Sequence, residues 1–342
     1  MIKRYLTVSL LCVLCTLCAL ADDNKPQAFD YRPEFGGVIR TRWEMTTSDG
    51  NSGENRFAVR NARVWLKGKI MPQLQYYLRA DLCDMGKMKF LDGWARFSLP
   101  ENLAIQAGQF RMPFGVDAFK GPGTYIFANR SFIGRDDANN RKVGVQAMYE
   151  PKSFPLKLHA GVFSNNSITD HNPWSKEMAF ASKATYEVGP LTFATGFQTL
   201  CPDSTRMNMA DAAVTFKLGQ FTAEGEYMYT HYNGYAFDDA HSFNVWADYG
   251  FLLKRGIFNR LSVQSRFESV SARSNGINNS DGQLVQTFPD RKRLTVGATL
   301  AYVRKPVKCE LMLDYEKYFY SDSYTPSIDR DDKIVAELVI VF

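Results

Sequence analysis

The sequence predicts an all-β fold: a transmembrane antiparallel β-barrel of sixteen strands, with long extracellular loops and short periplasmic turns. Three observations carry that reading. Apolar and polar residues alternate with period two along segment after segment, the spacing that sends successive side chains to opposite faces of a strand. Short turn-like connections alternate with long polar ones. No stretch beyond the N-terminal leader approaches the roughly eighteen apolar residues of a membrane helix. Yet 45% of residues are hydrophobic and 14% aromatic, so that apolar content must be spread over one face of many strands.

The chain begins MIKRYLTVSLLCVLCTLCALA, with two basic residues, an apolar run and Ala19-Leu20-Ala21 before Asp22-Asp23. This is the layout of a secretory signal peptide, assigned to 1–21. Residues 22–34 are a short lead-in and 35–342 the barrel. Without the leader's Lys3 and Arg4 the chain carries 39 basic and 36 acidic residues, a net +3, too even a balance for a nucleic-acid binder. Cys12, Cys15 and Cys18 lie in the leader. Cys83, Cys201 and Cys309 remain, an odd set at wide spacing that reads as three unpaired thiols rather than a disulfide framework.

Alternation places strands near 35–46, 57–70, 73–82, 88–99, 103–110, 142–149, 156–164 and 178–187. It continues at 191–200, 209–218, 221–230, 243–251, 260–270, 293–303, 307–318 and 333–342. In the first, Ile39, Thr41, Trp43 and Met45 alternate with Arg40, Arg42 and Glu44. In the third, Leu74, Tyr76, Leu78, Ala80 and Leu82 oppose Gln75, Tyr77, Arg79 and Asp81. In the fourth, Leu91, Ala95 and Phe97 oppose Asp92, Trp94 and Arg96. The short links include MPQ, PEN, EVGP, GQ and VRKP; the long ones include SNNSITDHNPWSKE and SARSNGINNSDGQLVQTFPD. That rhythm is the plan of an outer-membrane barrel. Lipid tolerates no open sheet edge, so the sheet must close. An exported β-sandwich also alternates, but does not require the long–short rhythm.

The polar face is too charged for a dry core, since an unpaired buried charge costs several kcal/mol. A water-filled lumen removes that cost, and sixteen strands leave room for one. Arg40, Arg42, Arg63, Arg79 and Arg96 are therefore expected to line a pore and guide anions. The alternative role is bracing of the wall by pairs such as Arg79/Asp81 and Arg96/Asp92. The apolar set, including Ile39, Trp43, Leu66, Leu78, Phe97, Ile340 and Phe342, is expected to meet lipid or a neighbouring barrel.

GQFRMPFG at 108–115 ends the fifth strand, and an aperiodic connection near 111–141 follows. A structureless loop of that length is usually functional. As the third long loop it can fold inward and narrow the lumen. Its cations Arg111, Lys120, Arg130, Arg135, Arg141 and Lys142 outnumber Asp117, Asp136 and Asp137, which predicts a constriction favouring anions. The 271–292 connection is expected to lie in bulk water.

Several pieces resemble the phosphate-selective porin O/P family: FAVRNARVWLKGKI (57–70), YYLRADL (76–82), LDGWARF (91–97), IQAGQFRMPFG (105–115) and FANRSF (127–132). The resemblance covers roughly residues 35–150. It implies a sixteen-stranded trimeric porin whose inward arginines and lysines guide anions, phosphate or polyphosphate among them. Asn129 stands where the family often has an acidic residue, and CPDSTRMN (201–208) offers only Arg206 in place of the family's lysine cluster.

No HExxH, GxSxG or P-loop occurs, so no enzyme, cofactor or metal is expected. His231 and His241, with Asp238 and Asp239 between them, read as a solvated loop rather than a metal site. The expected function is passive diffusion of small hydrophilic solutes, preferably anions, across the outer membrane of a Gram-negative bacterium after signal cleavage. Outer-membrane lipid and lipopolysaccharide, a homotrimer, and barrel assembly machinery engaging the C-terminal Phe342 strand are the expected partners. The competing class is a non-conducting barrel acting as a surface adhesin or accessory protein.

Overall fold

The computed structural model describes residues 30–48, 53–321 and 324–342. The leader expected at 1–21, and the lead-in up to residue 29, lie outside the described residues. The strands are β1 (Glu34–Thr46), β2 (Asn55–Met71), β3 (Leu74–Asp84), β4 (Lys87–Ser98), β5 (Leu103–Arg111), β6 (Arg141–Tyr149), β7 (Leu156–Ser164) and β8 (Met178–Val188). They continue as β9 (Leu191–Leu200), β10 (Met207–Leu218), β11 (Phe221–Tyr232), β12 (Ala240–Leu252), β13 (Arg260–Val270), β14 (Arg291–Arg304), β15 (Val307–Tyr320) and β16 (Lys333–Val341). Each pairs antiparallel with its sequence neighbours, and β1 pairs with β16, so the sheet closes. At that seam Gly37 and Phe342 exchange backbone hydrogen bonds of 2.8 and 3.1 Å. Closure leaves no edge to template aggregation.

The faces invert relative to a soluble protein, as a lipid solvent demands. Leu78, Val145, Val162 and Leu313 are exposed on the outside, whereas Arg40, Asp81, Gln106, Glu268, Arg293 and Glu316 are buried inside. Ile39, Leu78, Phe97 and Phe342 are all exposed, as the alternation predicts.

Two bulges break the alternation. Arg40 pairs with Asn61 and Thr41 with Val59, leaving Arg60 unpaired in β2. The phase of β2 therefore flips, so Arg56 and Arg60 reach the lumen along with Arg63. In β4 the register passes from Arg79–Asp92 to Ala80–Phe90, leaving Leu91 unpaired. Leu91 is buried and Phe90 exposed, which corrects the outward placement of Leu91. The long–short rhythm also has exceptions at the loop end. β3 and β4 are joined there by Met85 and Gly86 alone, and β9 and β10 by residues 201–206.

Candidate functional site: the constriction

The connection between β5 and β6, residues 112–140, folds into the barrel and is called the inner loop here. Arg111 closes β5 rather than opening this loop. At its start, Met112 and Phe114 are fully buried in an apolar cluster with Phe163, Met209 and Met228. Apolar packing inside a polar lumen pins the first turn against β7–β11. Glu226 then accepts from the backbone amides of Val116 (2.6 Å) and Asp117 (3.1 Å).

Beyond this point the wall holds the loop mainly by its backbone. The Ala128 carbonyl accepts from Arg40 (2.6 Å) and Arg42 (2.8 Å), and its amide donates to Asp314 (2.7 Å). Arg266 donates to the Asn129 carbonyl (2.9 Å) and Arg293 to that of Arg130 (2.6 Å). The Phe132 amide donates to Glu268 (2.6 Å). Arg291 and Arg273 reach Asp136 and Asp137, each at 2.6 Å. Charge-assisted bonds of this kind are roughly twice as strong as neutral ones. The FANRSF stretch is thus the segment that β1 and β13–β15 grip.

Asn129 is suited to its place. Its side-chain oxygen accepts from Arg42 at 2.9 Å while its amide donates to Glu316 at 3.1 Å. A carboxylate could take the first bond but would repel Glu316 in place of the second.

Between the inner loop and the β1–β3 wall lies a cavity of about 200 Å³. Arg40, Arg42, Arg56, Arg60, Arg63, Arg130, Arg135 and Lys333 line it, against the carboxylates Glu44, Asp84 and Asp329. Several of these cations are paired. Arg42 and Arg56 meet Glu44 at 3.0 and 2.7 Å, Arg60 meets Asp84, and Arg63 meets Asp81 at 2.6 Å. Arg40 and Arg42 share Glu337, with Nε contacts of 2.6 and 2.7 Å. Arg130 has no carboxylate partner among the described residues. It donates to the carbonyls of Lys120 (2.7 Å) and Gly134 (3.0 Å) and to the Tyr125 hydroxyl. Among the described residues Arg135 has a single carboxylate partner, Asp136 at 3.7 Å, and it stays 41% exposed.

Tyr125 registers the resulting field. Burial alone would raise its phenol, but Arg130, Arg63, Arg40 and Arg111 outweigh burial and lower it. The Arg40 and Arg130 guanidinium carbons lie 4.7 and 4.9 Å from the ring centre. Asp117 behaves likewise: burial would raise it, yet Lys120, the Ser131 hydrogen bond and Arg266 bring it below the usual range. Asp137 differs. Burial and neighbouring Asp136 exceed the pull of Arg273 and raise it to about 6.

The expected site residues therefore divide. Arg40, Arg42 and Arg63 border the cavity while also bracing it. Arg79 meets Asp92 at 3.4 Å rather than Asp81, and Arg96 bonds Gln106 rather than Asp92. Lys120 is held by Asp117 at 3.3 Å and by Glu224, so it is no free cation. Arg111 is partly buried at the end of β5, with its guanidinium 5.8 Å from the Phe119 ring. The 271–292 expectation is corrected at the segment's ends: Arg273 and Arg291 are buried and hold the inner loop, while residues 280–283 and 285–287 are exposed. Sequence reading missed Arg56 and Arg60, which the bulge turns inward, and Lys333 and Tyr125. A stepped alternation in RFAVRNAR, at 56–63, is the signal that could have found the first two. Cys83, Cys201 and Cys309 are free thiols.

A closed sixteen-strand barrel with an inward loop and a charged lumen is the architecture of a porin. The family model for phosphate-selective porin O and P matches residues 41–195, in line with the resemblance read from the motifs. No curated protein matches the chain in sequence. Among solved structures, an anion-selective porin from Comamonas acidovorans aligns with TM-score 0.64 and 13% identity, covering 92% of this chain and 100% of that one. OmpF of Salmonella typhi, in complex with daunomycin, gives 0.62 and 14%, covering 91% and 98%. A loop-deletion mutant of OmpT, an outer-membrane protein of Vibrio cholerae, gives 0.61 and 11% over 91% and 98%. At such identities the likeness is one of fold.

Proposed function

We propose that this chain is an outer-membrane porin through which small hydrophilic solutes diffuse passively, with a modest preference for anions. The observation that carries the reading is the cavity beside the inner loop, where eight basic side chains face three carboxylates. Low-dielectric walls focus such a field on whatever passes. The family-model match and the anion-selective character of the Comamonas porin support the same direction. Arg40, Arg42, Arg63, Arg79 and Arg96 guide anions along the wall, and Arg111, Lys120, Arg130 and Arg135 act at the inner loop. The mature protein sits in the outer membrane after loss of residues 1–21. It assembles as a homotrimer surrounded by lipid and lipopolysaccharide, and is recognised for insertion through its terminal Phe342 strand.

Single-channel recording of the refolded protein in a potassium chloride gradient tests this. The expected result is a stable conductance with a zero-current potential on the chloride side. Absence of conductance would favour the surface adhesin or accessory barrel. A phosphate preference would add block of chloride current by phosphate at low concentration.

A further inference from the structure

Toward the end of the barrel that carries the termini, the lumen wall bears three aromatic rings in a row on adjacent strands. Tyr77 of β3 lies directly across from Trp94 of β4, and Trp65 of β2 sits diagonally beside Tyr77. Their planes are nearly parallel, 17° and 18° apart, with centroids spaced 6.4 and 5.3 Å. That is the spacing of offset stacking, and Arg79 also donates to the Tyr77 hydroxyl. Each carries a cation: Lys67 lies 5.5 Å from the Trp65 ring centre, Arg79 4.9 Å from Tyr77, and Arg96 4.8 Å from Trp94. All three rings are only partly buried.

Beside Trp94 one position of the wall carries no side chain. Gly108 of β5 is opposite Trp94, with φ of +129°, and a Cβ there would come within 2.2 Å of the Gly93 carbonyl oxygen. Glycine is required, and no side chain crowds Trp94 from that position. One level nearer the termini, Gln75, Arg96, Gln106 and Gln146 lie side by side across β3–β6. Arg96 donates to Gln106 at 2.7 and 3.0 Å and has no carboxylate partner among the described residues. The Gln146 side-chain oxygen is buried without a hydrogen-bond partner.

We propose that this row binds anionic monosaccharides, hydroxylated rings bearing a phosphate or carboxylate, on their way through the pore. The apolar face of the sugar lies along Trp65, Tyr77 and Trp94. The amide row meets its hydroxyls, and Arg96 meets its anion. Simple inorganic anions would use the cations but gain nothing from the rings. Uncharged sugars would gain the rings without the cations. The solute class rests on the channel reading above, whereas the binding site does not.

The test is equilibrium dialysis of the full chain folded in detergent micelles, with glucose 6-phosphate, glucose, inorganic phosphate and benzoate as separate probes. Glucose 6-phosphate is expected to bind about tenfold more tightly than either glucose or phosphate, the worth of roughly 1.4 kcal/mol. Trp65→Leu with Trp94→Leu should bring it down to the phosphate level, and Arg96→Gln toward the glucose level. Should the double variant fail the heat-dependent gel shift of a folded barrel, Tyr77→Leu alone provides the comparison. Equal binding of the four probes, benzoate binding as tight as glucose 6-phosphate, or a ring variant that binds like the native chain would overturn the proposal. Current recording separates the two readings: a chain that retains glucose 6-phosphate but passes no current refutes the channel and keeps the site.

Discussion

Replacing Arg135 with glutamate isolates the inner loop's contribution to selectivity. The side chain is 41% exposed and its one ion pair among the described residues is a 3.7 Å contact with Asp136, so the change alters charge with little effect on packing. An anion passing about 6 Å away interacts with a unit charge by ~0.7 kcal/mol in bulk water and ~2.8 kcal/mol at an effective dielectric of 20. Half exposure argues for the watery figure, and charge reversal doubles it. Salt with a screening length of ~8 Å roughly halves the result. What remains is worth a three- to tenfold fall in the anion-to-cation permeability ratio. The zero-current potential in a potassium chloride gradient reads this directly, and should move toward the potassium side. The comparison is Arg255→Glu, an exposed residue in the 253–259 turn at the opposite end of the barrel. Equal shifts from the two variants, or a native pore that prefers cations, would refute the constriction argument. The 271–292 segment cannot serve as this control, because Arg273 and Arg291 anchor the inner loop.

Glu337→Ala removes the carboxylate that Arg40 and Arg42 share. Both guanidiniums are buried, so a loss of about 3–5 kcal/mol is expected; an unshifted unfolding midpoint in the heat-dependent gel assay would count against the bracing role. Asp137, raised from 3.8 to about 6 by burial and Asp136, binds more protons folded than unfolded between those values. Its contribution to stability is therefore present below about 3.8 and lost as pH rises through about 6. Asp137→Asn should remove that component, and superimposable pH profiles for the two proteins would disprove it. Cysteine at Leu78 should react with a lipid-soluble maleimide, and cysteine at Arg79 with a water-soluble one. The reverse pattern would mean that β3 is placed one residue out of register.

The barrel was legible because its signal is local and repeated. A lipid-facing side chain every second residue is written into each strand, and the turn residues punctuate it. The sixteen segments expected from alternation all form strands. Legibility failed where a bulge inserts a step, as at Arg60 and Leu91, because period-two counting carries no memory of phase beyond an unpaired residue. It failed again for ion-pair partners. Asp81 and Asp92 were visible as inward carboxylates, but that Asp81 would take Arg63, and Asp92 both Arg79 and Arg141, depends on cross-strand register. The inner loop's charge was visible and its anchorage was not, since Glu226, Asp314, Glu268 and Arg293 lie more than ninety positions away from the backbone groups they hold.

That anchorage changes what the positive charge means. Arg266, Arg273, Arg291 and Arg293, all on β13, β14 or the segment between them, pair with carboxylates or hold the inner loop. A buried pair of this kind presents little net charge to a passing ion and chiefly sets position. On β1 and β2 the arginines that reach the cavity are paired as well, and the surplus comes from Arg130 and Arg135, which face them across it. The loop is thus held by β7–β11, by β13–β15 and by β1, while the opening forms against β1 and β2, and the net charge of the chain says little about either. Asn129 sits at the junction, bound to Arg42 of the open side and Glu316 of the gripping side. An acidic residue there would neutralise part of the cationic rim and push against Glu316. The amide avoids both effects, leaving Arg42 without a further countercharge where anions would pass.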